Sequence, residues 1–196
     1  SRSASYYESG IGRGMGFRDS NQDTLGFVHL IPEKVKARIK DLTATQLPEG
    51  NAYHQYSPLS KKANPSDHKY GDDHLWLIYS VASYIKETGD VAFLQEQIPF
   101  AGPACRQAGD ATVSLFDHLE KALEFSAKNL GPHGLPLIFF ADWNVCLNLD
   151  QGKGKAESVM VAQMFVAAAR DMVNLSNLLN NPAAAKKYDK WADEMT

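Results

Sequence analysis

Val161, Phe165, Ala168, Met172, Leu175 and Leu179 recur at steps of 4, 3, 4, 3 and 4. Only an α-helix collects six such positions on one face, and a helix with that face must bury it. Asn180-Asn181-Pro182 stops the run and opens a shorter helix on which Tyr188, Trp191 and Met195 align. The same period recurs upstream. Pro32 opens a helix carrying Val35, Ile39, Leu42 and Gln46. Asp72 or Asp73 caps another, with Leu75, Ile78, Ala82 and Ile85 inward and Gly89 as its stop. A further helix runs from about Thr112 to Leu130 on Leu115, Leu119, Ala122 and Ser126, ended by Gly131-Pro132. Core packing accounts for every stripe, and the fold class read from them is all-α.

Three long connections, residues 47–71, 97–111 and 131–155, separate these helices. Connections beyond about 12–15 residues are uncommon in compact domains and are often functional. Residues 25–31 and 135–143 resist the helical period and read as short strands or buried extended segments.

Composition removes several function classes. With 20 Lys+Arg against 23 Asp+Glu in 196 residues, the chain lacks the basic excess that binding a nucleic-acid backbone requires. No apolar run reaches the ~18–20 residues of a membrane span, and the opening residues carry no apolar signal core. The 2 cysteines, Cys105 and Cys146, form neither a disulfide framework nor a zinc pattern, and suit a reducing cytoplasm. A soluble intracellular chain that binds neither nucleic acid nor membrane is expected.

Polar chemistry concentrates in three places. Residues 10–23, GIGRGMGFRDSNQD, hold 4 glycines, 2 arginines and 2 aspartates in 14 positions. Arginine forks grip carboxylates, phosphates or vicinal hydroxyls, aspartate accepts hydroxyl hydrogens, and glycine lets backbone approach a ligand. A site for a polyhydroxylated or phosphorylated molecule fits this set, and so does a Gly-rich turn with surface Arg–Asp pairs. The GxGxxG-like spacing lacks the strand–helix context of a dinucleotide site. Asp142-Trp143-Asn144 follows an apolar run. An acid there could act as a general acid, and the indole offers a face for a sugar ring; a buried Asp capping a turn is the alternative. Residues 52–56, AYHQY, interleave aromatic and hydrogen-bonding groups, which suits sugar recognition or simple loop packing. The histidines show no metal spacing.

The ordered words SRSASYYESGIGRGMGFRDSNQD, AYHQY, GDDHLWLIYSVASYIKETGD, NLGPHGLPLI, ADWN-CLNL and AESV resemble the disaccharide phosphorylases of glycoside hydrolase family 94. That family comprises the cellobiose, cellodextrin, laminaribiose and chitobiose phosphorylases, and the resemblance runs from Arg2 to beyond Ser158. It implies that residues 1–196 are part of an (α/α)6-barrel catalytic domain whose long loops carry the active site. It also implies inverting phosphorolysis of cellobiose or a related β-glucoside to α-glucose 1-phosphate and glucose. Inorganic phosphate is then a co-substrate and no cofactor is required. A cytoplasmic homodimer is the form the resemblance suggests. By position, Arg2 matches the family's phosphate-contacting arginine. Arg13 and Asp19 match the pair on the hydroxyls of the non-reducing-end sugar, and Trp143 matches the tryptophan lining that subsite.

One position departs. The family's general acid is the second aspartate of Asp-Trp-Asn-Asp, and here that place is Val145. Valine donates no proton. Phe139-Phe140 also replaces small and basic residues, and the family's phosphate-binding His and Thr-Gly lie beyond the matched words. A sugar-binding chain without the acid, or a phosphorylase of cellodextrin or laminaribiose specificity, are the competing readings. Half a barrel would leave the apolar face of residues 161–179 open to water, which points to a longer enzyme.

Overall fold

The computed structural model describes residues 14–57, 63–64, 68–102, 108–147 and 154–196. Six α-helices dominate the described residues: α1 (Phe17–Phe27), α2 (Pro32–Thr43), α3 (Asp73–Thr88), α4 (Leu115–Lys128), α5 (Val159–Leu178) and α6 (Pro182–Glu194). Short strands fill some of the connections. β1 (Met15–Gly16), β2 (Gln55–Tyr56) and β3 (Ala63–Asn64) form one antiparallel sheet in that order. β4 (Gln97–Ala101) and β5 (Ala108–Ser114) pair antiparallel as a second, with Ile98 opposite Val113.

α3 is the hub, packed by α1, α2, α4 and α5. Leu75, Ile78, Ala82 and Ile85 are buried as their spacing predicts, and so are Leu77, Val81 and Tyr84 on the opposite side. A helix apolar nearly all round needs neighbours all round. α1, α3 and α5 lie side by side, α2 bridges α1 and α3, α4 bridges α3 and α5, and α6 packs along α5. Gly89 ends α3 in the left-handed conformation, φ +70°, with its N–H on the Ile85 carbonyl.

The structure corrects several expectations. Val161, Phe165, Ala168, Met172 and Leu175 are all buried in one core with α3 and α6, so the α5 stripe is covered within these residues. α4 begins at Leu115 rather than Thr112, because residues 108–114 pair with β4 and Ser114 closes a capping box with Asp117. The 97–111 connection is therefore largely a hairpin. α2 stops at Thr43. Gln46 is buried beyond it, donating from its amide to the carbonyls of Gly50 and His118 at 2.8 and 3.0 Å. Residues 17–27, split in the sequence between a Gly-rich turn and a possible strand, form α1; Phe17, Asn21 and Thr24 face inward on helical spacing. Residues 135–143 form isolated bridges at Pro136, Leu137, Phe139 and Ala141 rather than a strand, turning at Phe139 (φ +55°), with Ile138 and Ala141 buried.

Candidate active site

The N-terminal ends of α1, α3 and α5 meet in a buried polar network. Arg18, in the first turn of α1, reaches the start of α3 with Nε on Asp72 Oδ2 at 2.7 Å and Nη2 on Asp72 Oδ1 at 2.8 Å. The same Nη2 donates to the carbonyl of Asp142 at 2.9 Å and lies 3.6 Å from Asp73 Oδ1. Trp76 Nε1 donates to Asp72 as well, at 3.0 Å. Asp72 occupies the N-cap place that its sequence suggests, yet makes no side-chain cap hydrogen bond, because both oxygens are committed to Arg18. Burial, then the charge of Asp73, pushes the Asp72 carboxyl up to about 6 against the pull of Arg18.

His54 joins from the AYHQY loop. Its Nδ1 lies 2.8 Å from Asp73 Oδ2, its ring stacks on Tyr70 at 3.8 Å, and its carbonyl accepts the first N–H of α1 at 2.8 Å. Tyr70 in turn lies beneath the Arg18 guanidinium, 5.5 Å from its ring centre. Tyr56, from the same loop, is core, with its hydroxyl bound to Arg38.

Asp142 organises the next turn. Its Oδ1 accepts the N–H of Asn144 at 2.8 Å and its Oδ2 accepts the Ser158 hydroxyl at 2.7 Å. Ser158 Oγ also accepts the Val161 N–H at 3.1 Å, capping α5. Asn144 repeats the motif by accepting the N–H of Cys146 at 3.3 Å. Asp142 is therefore a buried, fully engaged turn residue. Trp143 and Val145, the next odd positions, stand 55% and 47% exposed.

Of the residues matched from sequence, Asp19, Trp143 and Val145 are described, whereas Arg2 and Arg13 lie outside the described residues. Asp19 sits in the first turn of α1, where its charge complements the helix dipole, and its carboxylate lies against Gly16. Among the described residues no His/Cys/Asp/Glu group could hold a metal ion. Cys146 is exposed and unpaired. No helix of the described residues is long and apolar enough to cross a membrane.

Residues 1–196 match the family model for the catalytic domain of the glycosyl hydrolase 94 superfamily. The chain belongs to that superfamily. Among its relatives, an N,N'-diacetylchitobiose phosphorylase from Vibrio furnissii is 34% identical over 98% of this chain and 26% of its own length. A solabiose phosphorylase from Paenibacillus borealis is 34% identical over 86% of this chain and 20% of its own. The cyclic beta-(1,2)-glucan synthase NdvB of Rhizobium meliloti is 32% identical over 86% of this chain and 6% of its own. The glycosyl hydrolase 94 chain thus spans about a quarter of the chitobiose phosphorylase it matches.

Arg18, Asp72, Asp73, His54 and Ser158 are not among the site residues matched from sequence, where Asp72 or Asp73 read as a helix cap and Arg18 and His54 only as parts of the polar segments 10–23 and AYHQY. One signal was present: two adjacent aspartates open the apolar helix α3, and a buried carboxylate pair demands a cation. Arg18 meets that demand from 54 residues away.

Proposed function

We propose that this chain is a segment of a disaccharide phosphorylase that cleaves a β-linked disaccharide with inorganic phosphate, releasing a sugar 1-phosphate with inversion. The family match over residues 1–196 carries the reading. It is supported by the convergence of Arg18, of His54 in AYHQY and of Asp142 in ADWN on the network at the starts of α1, α3 and α5. Side-by-side α1, α3 and α5 with α2 and α4 between them also suit part of an (α/α)6 barrel whose loops carry the site.

The physical logic follows from the nucleophile. An inverting hydrolase needs one acid for the leaving oxygen and one base for water. Phosphate is already an anion and a nucleophile, so the base is dispensable and cations must hold it below the ring. In this reading Arg2 contacts phosphate, and Arg13 and Asp19 hold hydroxyls of the non-reducing-end sugar. Trp143 lines that subsite, and position 145 faces the leaving oxygen. The reaction needs no cofactor. The substrate is cellobiose or a related β-glucoside, and the working form is a cytoplasmic homodimer.

Val145 favours a second reading, a sugar-binding chain that has lost its acid. In a protein carrying the whole catalytic domain, sugar 1-phosphate release from cellobiose, N,N'-diacetylchitobiose and solabiose, each with and without inorganic phosphate, separates the two. Phosphate-dependent release from one of them is expected of the phosphorylase. Saccharide binding without release would establish the second reading instead.

A further inference from the structure

Asp142 stands three positions before the residue that aligns with the family's acid, and a carboxylate there invites the role of substitute proton donor. Its surroundings oppose that role. Oδ1 accepts the N–H of Asn144 and Oδ2 accepts the hydroxyl of Ser158, at 2.8 and 2.7 Å, so both oxygens are engaged inside the protein. The residue is also 4% exposed, whereas Trp143 and Val145 beside it are about half exposed.

The contacts instead describe a latch. The backbone of Asp142 is held by Arg18, whose guanidinium is fixed by two bonds to Asp72 at the start of α3. Its side chain is held by Ser158, whose oxygen also takes the N–H of Val161 in the first turn of α5. Within the turn, Asn144 N–H closes onto Asp142, and Val145 N–H closes onto the Trp143 carbonyl at 3.2 Å. One residue thereby ties the exposed turn to the ends of three helices.

We propose that Asp142 is a positioning residue that fixes the turn carrying Trp143 and position 145 by joining Ser158 at the start of α5 to Arg18 on α1. The importance of that turn for catalysis rests on the phosphorylase reading; the latch does not. Ser158 is its remote half, 16 residues along the chain.

Backbone amide exchange on the 196-residue protein tests it. Asp142→Ala is expected to speed exchange in residues 142–147 and at Val161 by about tenfold, the worth of one lost hydrogen bond, while α3 and α6 keep their protection. Ser158→Ala reproduces the change in residues 142–147, and Ser158→Thr, which keeps the hydroxyl, restores it. The near-ultraviolet circular dichroism band of Trp143, identified by difference against Trp143→Phe, weakens in both alanine variants and returns with threonine. Should Asp142→Ala not fold, Asp142→Asn keeps an oxygen for Asn144, and the Ser158 pair still decides the matter. An unchanged turn in Ser158→Ala, or faster exchange spread evenly over all helices, would overturn the latch. The expected exchange pattern in a protein carrying the whole catalytic domain, without any sugar 1-phosphate release from it, would count against the phosphorylase reading alone.

Discussion

Arg18 and Asp72 meet through two parallel hydrogen bonds of 2.7 and 2.8 Å, with side chains only 5% and 0% exposed. A buried pair of this kind contributes little net stability, but breaking it is costly, because the abandoned charge stays buried. Arg18→Met leaves both Asp72 and Asp73 without their cation, and a loss of about 3–5 kcal/mol is expected in urea unfolding. Arg18→Lys should fall between, since an ammonium restores charge without the planar fork that spans Asp72 and the Asp142 carbonyl. Adding Asp72→Asn to Arg18→Met should recover part of the loss.

His74 gives the fold a pH dependence of definite sign. It is fully buried against Phe125, with Nε2 2.7 Å from Ser126 Oγ, and burial lowers its pKa to about 4 although Asp73 opposes the shift. The unfolded chain binds that proton near pH 6.5, so between 6.5 and 4 the unfolded state holds more protons and stability falls with falling pH. Asp72, raised to about 6, acts in the opposite sense across much of this window. Subtracting the curve of His74→Gln from that of the parent removes the Asp72 contribution. The parent is expected to lose about 3 kcal/mol relative to the variant between pH 7.5 and pH 4. A flat difference would mean that His74 is protonated in the native core.

Gly50 shows where the 47–71 connection is pinned. Its φ is +110°, and a β-carbon there would fall 2.0 Å from the Lys121 carbonyl oxygen on α4. Backbone strain and collision act together, so Gly50→Ala should cost clearly more than the ~1–2 kcal/mol of a left-handed alanine alone. Gly26, exposed in the last turn of α1 with nothing within 4 Å of an added β-carbon, is the control. Gly26→Ala should stabilise by up to about 1 kcal/mol in the same thermal melt.

What was legible in the sequence was periodic. The stripes of α2, α3, α5 and α6 were placed by their apolar spacing and by Pro32, Gly89 and Pro182, since those residues act locally. α1 was missed because its inward face is Phe17, Arg18, Asn21 and Thr24, and polar residues buried through long-range bonds leave no hydropathy signal. β4 and β5 escaped for a similar reason: pairing is non-local, and the Thr112-Val113 pair beside Leu115 continues a helical stripe as readily as it forms a strand edge. At the site, the sequence separated Asp72, which looked like a cap, from Arg18, which looked like part of a Gly-rich turn. Only their meeting across 54 residues gives either its role.

Position 145 offers the sharpest chemical test because the fold is indifferent to it. Val145 is 47% exposed and absent from the core, on a turn whose hydrogen bonds are made by Asp142, Asn144 and backbone groups. Surface changes of this kind usually alter stability by no more than about 0.5 kcal/mol. If position 145 protonates the leaving sugar, Val145→Asp in a protein carrying the whole catalytic domain should raise phosphate-dependent sugar 1-phosphate release by about 10²–10⁴-fold. Val145→Asn, similar in size and polarity but unable to give up an acid proton, should not. Asp142, with its oxygens on Asn144 and Ser158 at 2.8 and 2.7 Å, is common to both variants and so does not bias the comparison. Equal rates for the aspartate and asparagine variants, with disaccharide binding intact, would remove position 145 from the mechanism.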